Sequence, residues 1–394
     1  MKPVAVVSYH AITSLGFSTG EAAVRIKEQR TGLEICSDRL LTPAPMPLSL
    51  VPEAELEQRF GSLPEIEEKK FRAEEFTKLE KLLILSIRSA AGNWLDRLKG
   101  TDTILVVSTT KGNIHLLEGP YRGRFDPDRL FLWKLAEVVK GFFGFAHRPV
   151  VISNACISGV LAISHAARLL ASGKYRNAVV AGGDILSEFI ISGFISFQAL
   201  SPGPCRPFDI SRNGLSLGEG AATVILSADP DKEMDPEFEV AGSAMTNDAN
   251  HISGPSRTGE ELALAIRNSM QEAGLSPAEI DFISAHGTAT VYNDEMESKA
   301  FSLAGLSGSP LNSFKGLIGH TLGGAGIIES AFSLHSMKEN ILYPSAGFSD
   351  LGVPEKIRVI TAPEQREIRS VLKTASGFGG CNAAIIFRKK GSGA

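Results

Sequence analysis

The chain has 394 residues, of which 40 are basic and 44 acidic, giving a net charge of −4 at pH 7. It is two to three times as long as a typical domain, which predicts two domains or one large duplicated unit. A hydrophobic content of 43% excludes a disordered chain. The near balance of charge leaves no broad electrostatic basis for binding nucleic acid, so an acidic partner needs a local basic patch.

The apolar runs indicate neither a signal peptide nor a membrane span. Val4–Val7 is shorter than the roughly 7–15 apolar residues of a signal peptide and predicts the first strand. The longest uncharged stretch, Pro149–Ala167, contains Ser, Asn, Gly and His, which indicates a buried strand and helix. The four cysteines form no CxxC pair, so neither a disulfide framework nor a zinc site is predicted. We therefore expect a cytoplasmic protein.

Strands and helices alternate in the first half of the chain. An apolar stripe predicts an amphipathic helix over Glu74–Leu95. Short, β-branched and uncharged runs then predict strands buried on both faces, at Ile104–Ser108, Val150–Ser153, Asn177–Ala181 and Ala222–Leu226. Between the second and third of these, Ile157–Ser172 has few polar residues on any face, which is typical of a helix buried all round. This alternation predicts an α/β architecture.

A charged connector separates two halves of similar element content. Ala228–Glu237 combines two prolines with many charges and predicts an exposed loop, so the expected domains are residues 1–228 and 238–394. In the second half, Thr258 and Glu261 predict a capping box, and Gly274 a stop, for one helix. Further strands are expected near Asp281–Ser284, Lys356–Ile360, Ser370–Thr374 and Ala383–Phe387.

Cys156 lies where a predicted strand ends and an apolar helix begins, in the run Asn154–Gly159. A helix N-terminus offers unpaired N–H groups and a positive dipole end, which favour a thiolate over a thiol. The alternative is a small buried apolar residue, as for most lone cysteines. A role as a nucleophile requires partner residues.

Two histidines are candidates for these partners. His286 follows a predicted strand in Ser284–Thr290, and His320 lies in Lys315–Gly326; both are flanked by glycine, which lets backbone and substrate approach closely. The glycine clusters at Lys315–Gly326 and Ser376–Asn382 lack the order of a dinucleotide fingerprint or a phosphate loop. Backbone amides placed for an oxyanion explain them better.

Several motifs occur together in a fixed order. They are NACISG at 154–159, RPFD at 206–209, RNGLSLGEGAA at 212–222, HGTAT with NDxxE at 286–297, KGLIGHTLGGAG at 315–326 and GFGGCN at 377–382. Over essentially the whole chain the sequence resembles the β-ketoacyl-acyl carrier protein synthases, closest to the elongating branch with a Cys-His-His site. The resemblance implies the thiolase fold, an α/β fold in which two similar halves pack as five layers, α-β-α-β-α.

The resemblance also implies roles for individual residues. Cys156 resembles the nucleophile that takes an acyl chain from the phosphopantetheine arm of an acyl carrier protein. His286 and His320 resemble the pair that binds the malonyl thioester carbonyl and assists loss of CO₂. The amides of Cys156 and Phe378 would form the oxyanion hole, with Phe378 as a gating aromatic. Lys315 and Glu329 resemble the charged pair that supports the site.

Further residues are expected to contact substrate or carrier: Thr288, Thr290, Gly379, Arg206, Thr110 and Lys111. The resemblance implies no bound cofactor or metal, since the substrates are carried on the acyl carrier protein. It implies a homodimer, or a heterodimer with an inactive ketosynthase homologue. Thr109, Thr110 and Lys111 stand where the family has a Gly/Ser-rich stretch lining the acyl pocket, which points to a specialised polyene or pigment pathway.

Two alternatives remain open from the residues. A thiolase uses a second, acid/base cysteine, and Cys381 is a candidate, although it follows the glycines that a thiolase cysteine precedes. A partner subunit of the chain-length-factor type has the same fold and lacks the nucleophile, whereas Cys156 is present here. Asn213, where the family usually has Asp, and Cys381, where it usually has Thr, are further departures from the pattern.

Overall fold

The computed structural model describes residues 3–249 and 254–391. Its strands are β1 Val4–Thr13, β2 Glu34–Cys36, β3 Met46–Ser49, β4 Thr103–Ser108, β5 Val150–Ile152, β6 Asn177–Asp184, β7 Leu217–Gly218, β8 Gly220–Ser227, β9 Phe238–Asn247, β10 Phe282–Ser284, β11 Pro310–Asn312, β12 Ile341–Leu342, β13 Arg358–Val359, β14 Glu364–Gln365, β15 Ser370–Gly377 and β16 Cys381–Lys389. Its helices are α1 Thr19–Lys27, α2 Glu53–Gly61, α3 Pro64–Glu68, α4 Lys78–Ala91, α5 Leu132–Phe143, α6 Ser158–Ala171, α7 Glu188–Ser196, α8 Glu260–Ala273, α9 Val291–Leu303, α10 Lys315–Ile318 and α11 Ala325–Glu339. No helix of the described residues is long and apolar enough to cross a bilayer.

One sheet of 11 strands, in the order β13-β11-β10-β15-β16-β9-β1-β8-β6-β4-β5, runs through the described part of the chain. Its two halves repeat one pattern. In β1-β8-β6-β4-β5 two antiparallel pairings are followed by parallel ones, and β9-β16-β15-β10-β11-β13 does the same. Within this sheet, the short pairing of Val4–Val6 with Phe238–Val240 joins the halves. The repeat agrees with the similar element content read from the sequence.

The helices divide between three layers. α4 packs on β1, β6 and β8, so it covers the outer face of the first half-sheet, and α8 covers β9 and β16 of the second. α6 and α11 contact each other and strands of both half-sheets, which places them between the sheets. The five expected layers, α-β-α-β-α, are therefore present. Burial on both sides explains why α6 is apolar nearly all round.

Three predictions from local sequence need correction. The run at Val150–Ser153 was expected to be buried on both faces, but β5 is half-buried because it is the edge strand of the sheet. The helix expected over Glu74–Leu95 is shorter: Thr77 and Glu80 form a capping box, and Gly92 ends it. The stripe of leucines is buried as predicted.

The predicted capping box of α8 is also wrong, although Gly274 does end the helix in a left-handed conformation. The N-cap residue is Gly259 with φ of 77°, so Thr258 lies before the cap, and its hydroxyl accepts from the amide of Glu260 at 3.4 Å. A Cβ on Gly259 would lie 2.6 Å from the carbonyl oxygen of Met296 in α9. Close packing of the two helices therefore fixes the start of α8, and short-range sequence could not show it.

Candidate active site

Cys156 lies in the tight turn that joins the edge strand β5 to the central helix α6. Ala155 just before it has a φ of 43°, a left-handed conformation that residues with a Cβ rarely adopt. The turn directs the thiol inwards, and only 9% of the residue is exposed. Sequence analysis predicted this strand-to-helix position correctly.

His320 contacts the thiol directly. Its Nε2 lies 3.0 Å from the Sγ of Cys156, although the two residues are 164 positions apart. His320 follows α10, and its amide donates to the carbonyl of Ser216 at 2.7 Å. Gly319 has a φ of 68°, and a Cβ there would lie 2.5 Å from the Leu217 carbonyl oxygen. The glycine before His320 therefore allows the close approach that brings the ring to the thiol.

His286 lies just beyond the end of β10 and faces the other side of the same space. Its ring is edge-on to that of His320, with centroids 5.3 Å apart. The Cys156 sulfur and one nitrogen of each histidine lie within 4.8 Å of one another. Glu297 accepts from the amides of His286 and Gly287 at 2.8 and 2.6 Å. The NDxxE motif therefore holds the backbone of the His286 turn.

Lys315 fixes the tautomer of His286. Its buried ammonium lies 3.3 Å from Nδ1 of His286, 2.5 Å from the His286 carbonyl oxygen and 2.7 Å from Oε1 of Glu329. An ammonium has three N–H donors and no acceptor, so Nδ1 must accept and the ring proton must lie on Nε2. His286 thus presents an N–H donor to the cavity. The predicted pairing of Lys315 with Glu329 is present.

Sequence analysis missed a second lysine of this network. Lys373 on β15 is fully buried and pairs with Oε2 of Glu329. Its ammonium also donates to the carbonyls of Ser284 and Ala285, each at 3.2 Å. A lysine inside a predicted strand was a usable signal, since an ammonium is almost never fully buried without partners.

Burial keeps all three reactive groups uncharged in the free site. It lowers the pKa of both His286 and His320 well below 6.5, and the nearby charges of Lys315 and Lys373 act in the same direction. Burial raises the pKa of the Cys156 thiol to about 12, with Lys315 opposing the shift. The expectation that the helix N-terminus favours a thiolate is therefore wrong for the resting site, because desolvation of the charge dominates.

A Cys-His-His set can also bind a metal ion, and the three donor atoms are close enough to do so. Metal ligation through Nε2 of His286 needs a free lone pair there and a proton on Nδ1. The ammonium of Lys315 beside Nδ1 imposes the opposite tautomer. The residues present therefore fit a site for proton and oxyanion chemistry better than a metal centre.

A cavity of about 390 Å³ opens from these three side chains. Thr288 and Thr290 line it, as expected for substrate contacts, and their hydroxyls are 2.8 Å apart. Phe378 also lines it. Its ring contacts that of Phe197, just after α7, with centroids 5.2 Å apart, and that of Phe194, within α7, with centroids 6.0 Å apart. These two aromatic partners were not predicted.

The turn that carries Phe378 lies beside the nucleophile. A Cβ on Gly377 would lie 3.1 Å from the amide nitrogen of Cys156. Gly379 and Gly380 have φ values of 89° and 76°, so the turn requires glycine there. This arrangement brings Gly377, the residue before Phe378, next to the backbone of Cys156, and a shared oxyanion hole of the Cys156 and Phe378 amides stays a prediction.

Other predicted contact residues lie outside the cavity. Thr110 and Lys111 are not among the described residues that line it. Their amides and the Thr110 hydroxyl instead donate to Asp184, a fully buried carboxylate at the end of β6. Arg206 is exposed, and its guanidinium donates to the hydroxyl of Ser211 at 3.1 Å.

Asp184 also connects to the His320 turn. It accepts from the hydroxyl of Thr109 at 2.6 Å and from the amide of Gly323 at 2.7 Å. A Cβ on Gly323 would lie 2.8 Å from the Thr110 amide nitrogen, so the segments are in close contact. The unusual Thr109–Lys111 run thus satisfies a buried carboxylate that sequence analysis did not single out.

Comparison with known proteins identifies the family. Models of the N-terminal and C-terminal domains of beta-ketoacyl synthase match residues 121–232 and 238–349. A putative polyketide beta-ketoacyl synthase 1 of Streptomyces virginiae is 32% identical over 75% of this chain and 73% of its own length. The chain belongs to the β-ketoacyl synthase family. The 3-oxoacyl-(acyl-carrier-protein) synthase 2 of Rhizobium meliloti is 34% identical, and the match spans 60% of this β-ketoacyl synthase and 60% of that relative.

Solved structures show the same fold. A beta-ketoacyl synthase from Burkholderia phymatum STM815 superimposes with a TM-score of 0.86 at 24% identity, over 99% of this chain and 100% of that one. A ketosynthase solved in complex with its chain length factor from Xenorhabdus doucetiae gives a TM-score of 0.85 at 23% identity, over 98% of both chains. The thiolase fold implied by the motifs of this β-ketoacyl synthase is therefore confirmed.

Proposed function

We propose that this protein is a β-ketoacyl-acyl carrier protein synthase, which elongates an acyl chain by decarboxylative Claisen condensation in fatty acid or polyketide synthesis. The 3.0 Å contact between the Cys156 thiol and His320, with the N–H of His286 facing the same cavity, carries the proposal. These are the parts the reaction needs: a thiol with an adjacent base, and donors where negative charge develops.

In the first half-reaction, Cys156 takes the acyl chain from its carrier. The thiol gives its proton to Nε2 of His320 as the sulfur attacks the thioester carbonyl. The amides of Cys156 and Phe378 stabilise the tetrahedral oxyanion, and the carrier's pantetheine thiol leaves with the proton. Transfer during attack avoids a free thiolate, which burial makes unfavourable in the resting site.

In the second half-reaction, malonyl carrier loses CO₂. The electron pair of the broken carbon–carbon bond passes into the thioester as an enolate, whose oxygen accepts hydrogen bonds from Nε2 of His286 and of His320. The enolate carbon attacks the acyl-Cys156 carbonyl, the carbon–sulfur bond breaks, and Cys156 leaves as a thiolate that takes up one proton from solvent water. Lys315 and Glu329 hold His286 in the required tautomer.

In this mechanism the Cys156 thiol carries the acyl group. We assign Cys381 a role in packing only. The test is mass spectrometry after incubation with acyl carriers of varied length and unsaturation, beside CO₂ release from malonyl carrier. An acyl adduct on Cys156 and CO₂ release are expected. An adduct on Cys381 with none on Cys156 would establish a thiolase-like enzyme, and the absence of any adduct would favour a partner subunit.

The carrier partner is inferred from charge. Acyl carrier proteins are acidic, and Arg206 is an exposed cation that we propose as a docking residue, with Gly379 and the two threonines contacting the pantetheine arm. Arg206→Glu is expected to raise KM for the carrier substrate by about tenfold and to change KM little for a small thioester surrogate. Equal losses for both substrates would remove Arg206 from docking.

We further infer that residues 1–228 supply the nucleophile and residues 238–394 the histidines of a site shared between two similar halves. We propose that the protein acts in the cytoplasm as a homodimer. Thr110 and Lys111 would then approach the acyl chain from the second subunit, since they do not line the cavity of their own chain in the described structure. Light scattering of the purified protein tests this, and a monomer that needs a homologous partner for CO₂ release would establish a heterodimer instead.

A further inference from the structure

Lys373 has no role in the mechanism described so far, yet it is among the most deeply buried charged groups of the protein. None of its surface is exposed, and its ammonium has three acceptors: one carboxylate oxygen of Glu329 and the carbonyls of Ser284 and Ala285. A fully buried ammonium is costly unless each donor is satisfied. This arrangement meets that condition and fixes the group beside the turn that carries His286.

The two buried lysines share the work of holding that turn. Lys373 donates to the carbonyls of Ser284 and Ala285, and Lys315 donates to the next carbonyl in the chain, that of His286. Glu329 bridges the lysines, with one carboxylate oxygen to each. Three consecutive carbonyls are thus bound by two ammonium groups joined through one carboxylate.

We propose that Lys373 is a positioning residue that fixes the end of β10 and, with Lys315, supplies a positive field that holds His286 and His320 as neutral donors. The inference rests on the proposed function for its catalytic consequence and on geometry for its effect on the imidazoles. The two ammonium groups and the carboxylate that joins them carry one net positive charge, while the other carboxylate at this turn, Glu297, is engaged by backbone amides. That charge also favours the enolate.

The ionisable groups around His286 are few. Among the described residues they are Lys315, Lys373, Glu329, Glu297, His320 and Cys156, with Asp294 further along the turn, where it accepts from the amides of Thr288 and Phe208. Glu329 is occupied by the two lysines, and Glu297 accepts from the backbone amides of residues 286 and 287 and from Thr374. Both carboxylates are therefore directed at partners other than the imidazole ring, and the positive groups dominate at the ring.

The first measurement uses the unmodified protein without substrate. Nitrogen-15 NMR of labelled histidine reports the protonation and tautomer of each imidazole as the pH is lowered. His286 is expected to remain neutral with its proton on Nε2 at pH values well below the ordinary imidazole pKa of about 6.5. Titration near 6.5, or a proton on Nδ1, would overturn the inference whether or not the protein is a synthase.

The second measurement compares Lys373→Met and Lys373→Gln, which remove the charge; the glutamine retains a donor and serves if the methionine variant fails to fold. Lys338→Met, an exposed position on α11, is the matched control. Loss of the cation favours the imidazolium, so the pKa values of His286 and His320 are expected to rise by about one unit in the Lys373 variants and to stay unchanged in Lys338→Met.

Activity measurements distinguish a positioning role of Lys373 from a merely structural role. In the Lys373 variants the acidic limb of the CO₂-release profile should move to higher pH by the same unit, and kcat should fall about tenfold with KM little changed. Unchanged imidazole titration in a folded variant would overturn the inference. If the histidine titration shifts in the Lys373 variants but the wild-type protein releases no CO₂, the positioning role of Lys373 is supported. The proposed function is then rejected instead.

Discussion

The two histidines of the site are held in different ways. His286 has its Nδ1 beside the ammonium of Lys315 and its amide on Glu297, so its tautomer and its backbone are both fixed. His320 has its Nε2 on the sulfur of Cys156, while its buried Nδ1 has no hydrogen-bond partner among the described residues. One ring is a permanent donor, and the other is free to exchange which nitrogen carries the proton.

This difference assigns the two chemical tasks. A ring whose Nε2 always bears a proton can donate to an enolate oxygen and cannot act as a base at that atom. A ring without a fixed tautomer can accept the thiol proton at Nε2 and later donate from the same nitrogen. The comparison therefore predicts that acylation depends on His320 and that decarboxylation depends on both.

The largest expected effect is that of Cys156→Ala. It should abolish acyl transfer and condensation, because no other described thiol contacts a histidine. The fold should survive, since the change removes one sulfur from a turn. Mass spectrometry and thermal unfolding check both parts, and condensation by a folded Cys156→Ala protein would contradict the assignment of the nucleophile.

His286→Ala and His320→Ala come next, and they test the comparison directly. Each should reduce CO₂ release by about 10²–10³, the usual cost of removing one oxyanion donor. Only His320→Ala should also slow acylation of Cys156, although acyl protein should still form with time. The losses should not add in the double variant because both donors serve one charge. Equal acylation rates in the two single variants would break the distinction between the rings.

The raised pKa of the thiol gives a pH prediction. Because burial raises the pKa of Cys156 to about 12, the thiolate fraction of the resting site should increase tenfold for each pH unit between 7 and 9. The rate of alkylation of Cys156 by iodoacetamide should therefore rise across that range without a plateau. A plateau near pH 7 would show that the thiolate is present at rest and that the His320 contact is an ion pair.

Asp184→Asn tests how the backbone of the His320 turn is held, in comparison with that of the His286 turn. Glu297 holds the His286 turn, and Asp184 holds the His320 turn through the amide of Gly323. Asparagine turns an amide group towards donors, so a loss of about 1–3 kcal/mol in the free energy of unfolding is expected. Urea denaturation measures it, with the exposed Asp96→Asn as the control. Equal stability of both variants would show that Asp184 does not hold the turn.

The smallest effect is expected for Cys381→Ala. Its sulfur lies 3.4 Å from the carbonyl oxygen of Phe378 and makes no contact with either histidine in the described structure. Most of the condensation rate should remain, with a stability loss below about 1.5 kcal/mol for a small change in packing. Steady-state assays check this, and loss of CO₂ release would return the thiolase alternative.

Local sequence was sufficient for the central strands of the first half and for the reactive groups. Uncharged β-branched runs predicted β4, β6 and β8, and the strand-to-helix turn with its glycines pointed to Cys156. Flanking glycines distinguished His286 and His320 from the other histidines, because glycine lets the backbone approach closely and its position can be read from the sequence. Helix starts were less predictable, as α8 shows, since a helix on the neighbouring layer decides its first residue.

Only the tertiary structure decided the electrostatics of the site. The sequence by itself indicated which residues carry the thiol and the imidazoles, and its resemblance to a known family implied that Lys315 and Glu329 belong with them. It could not show that Lys373 joins Glu329, or that Thr110 serves Asp184, because these partners are far apart in the chain. Nor could it show that the thiol is neutral at rest. Protonation depends on desolvation and on charges from every packed element, and those exist only once both half-sheets enclose the site.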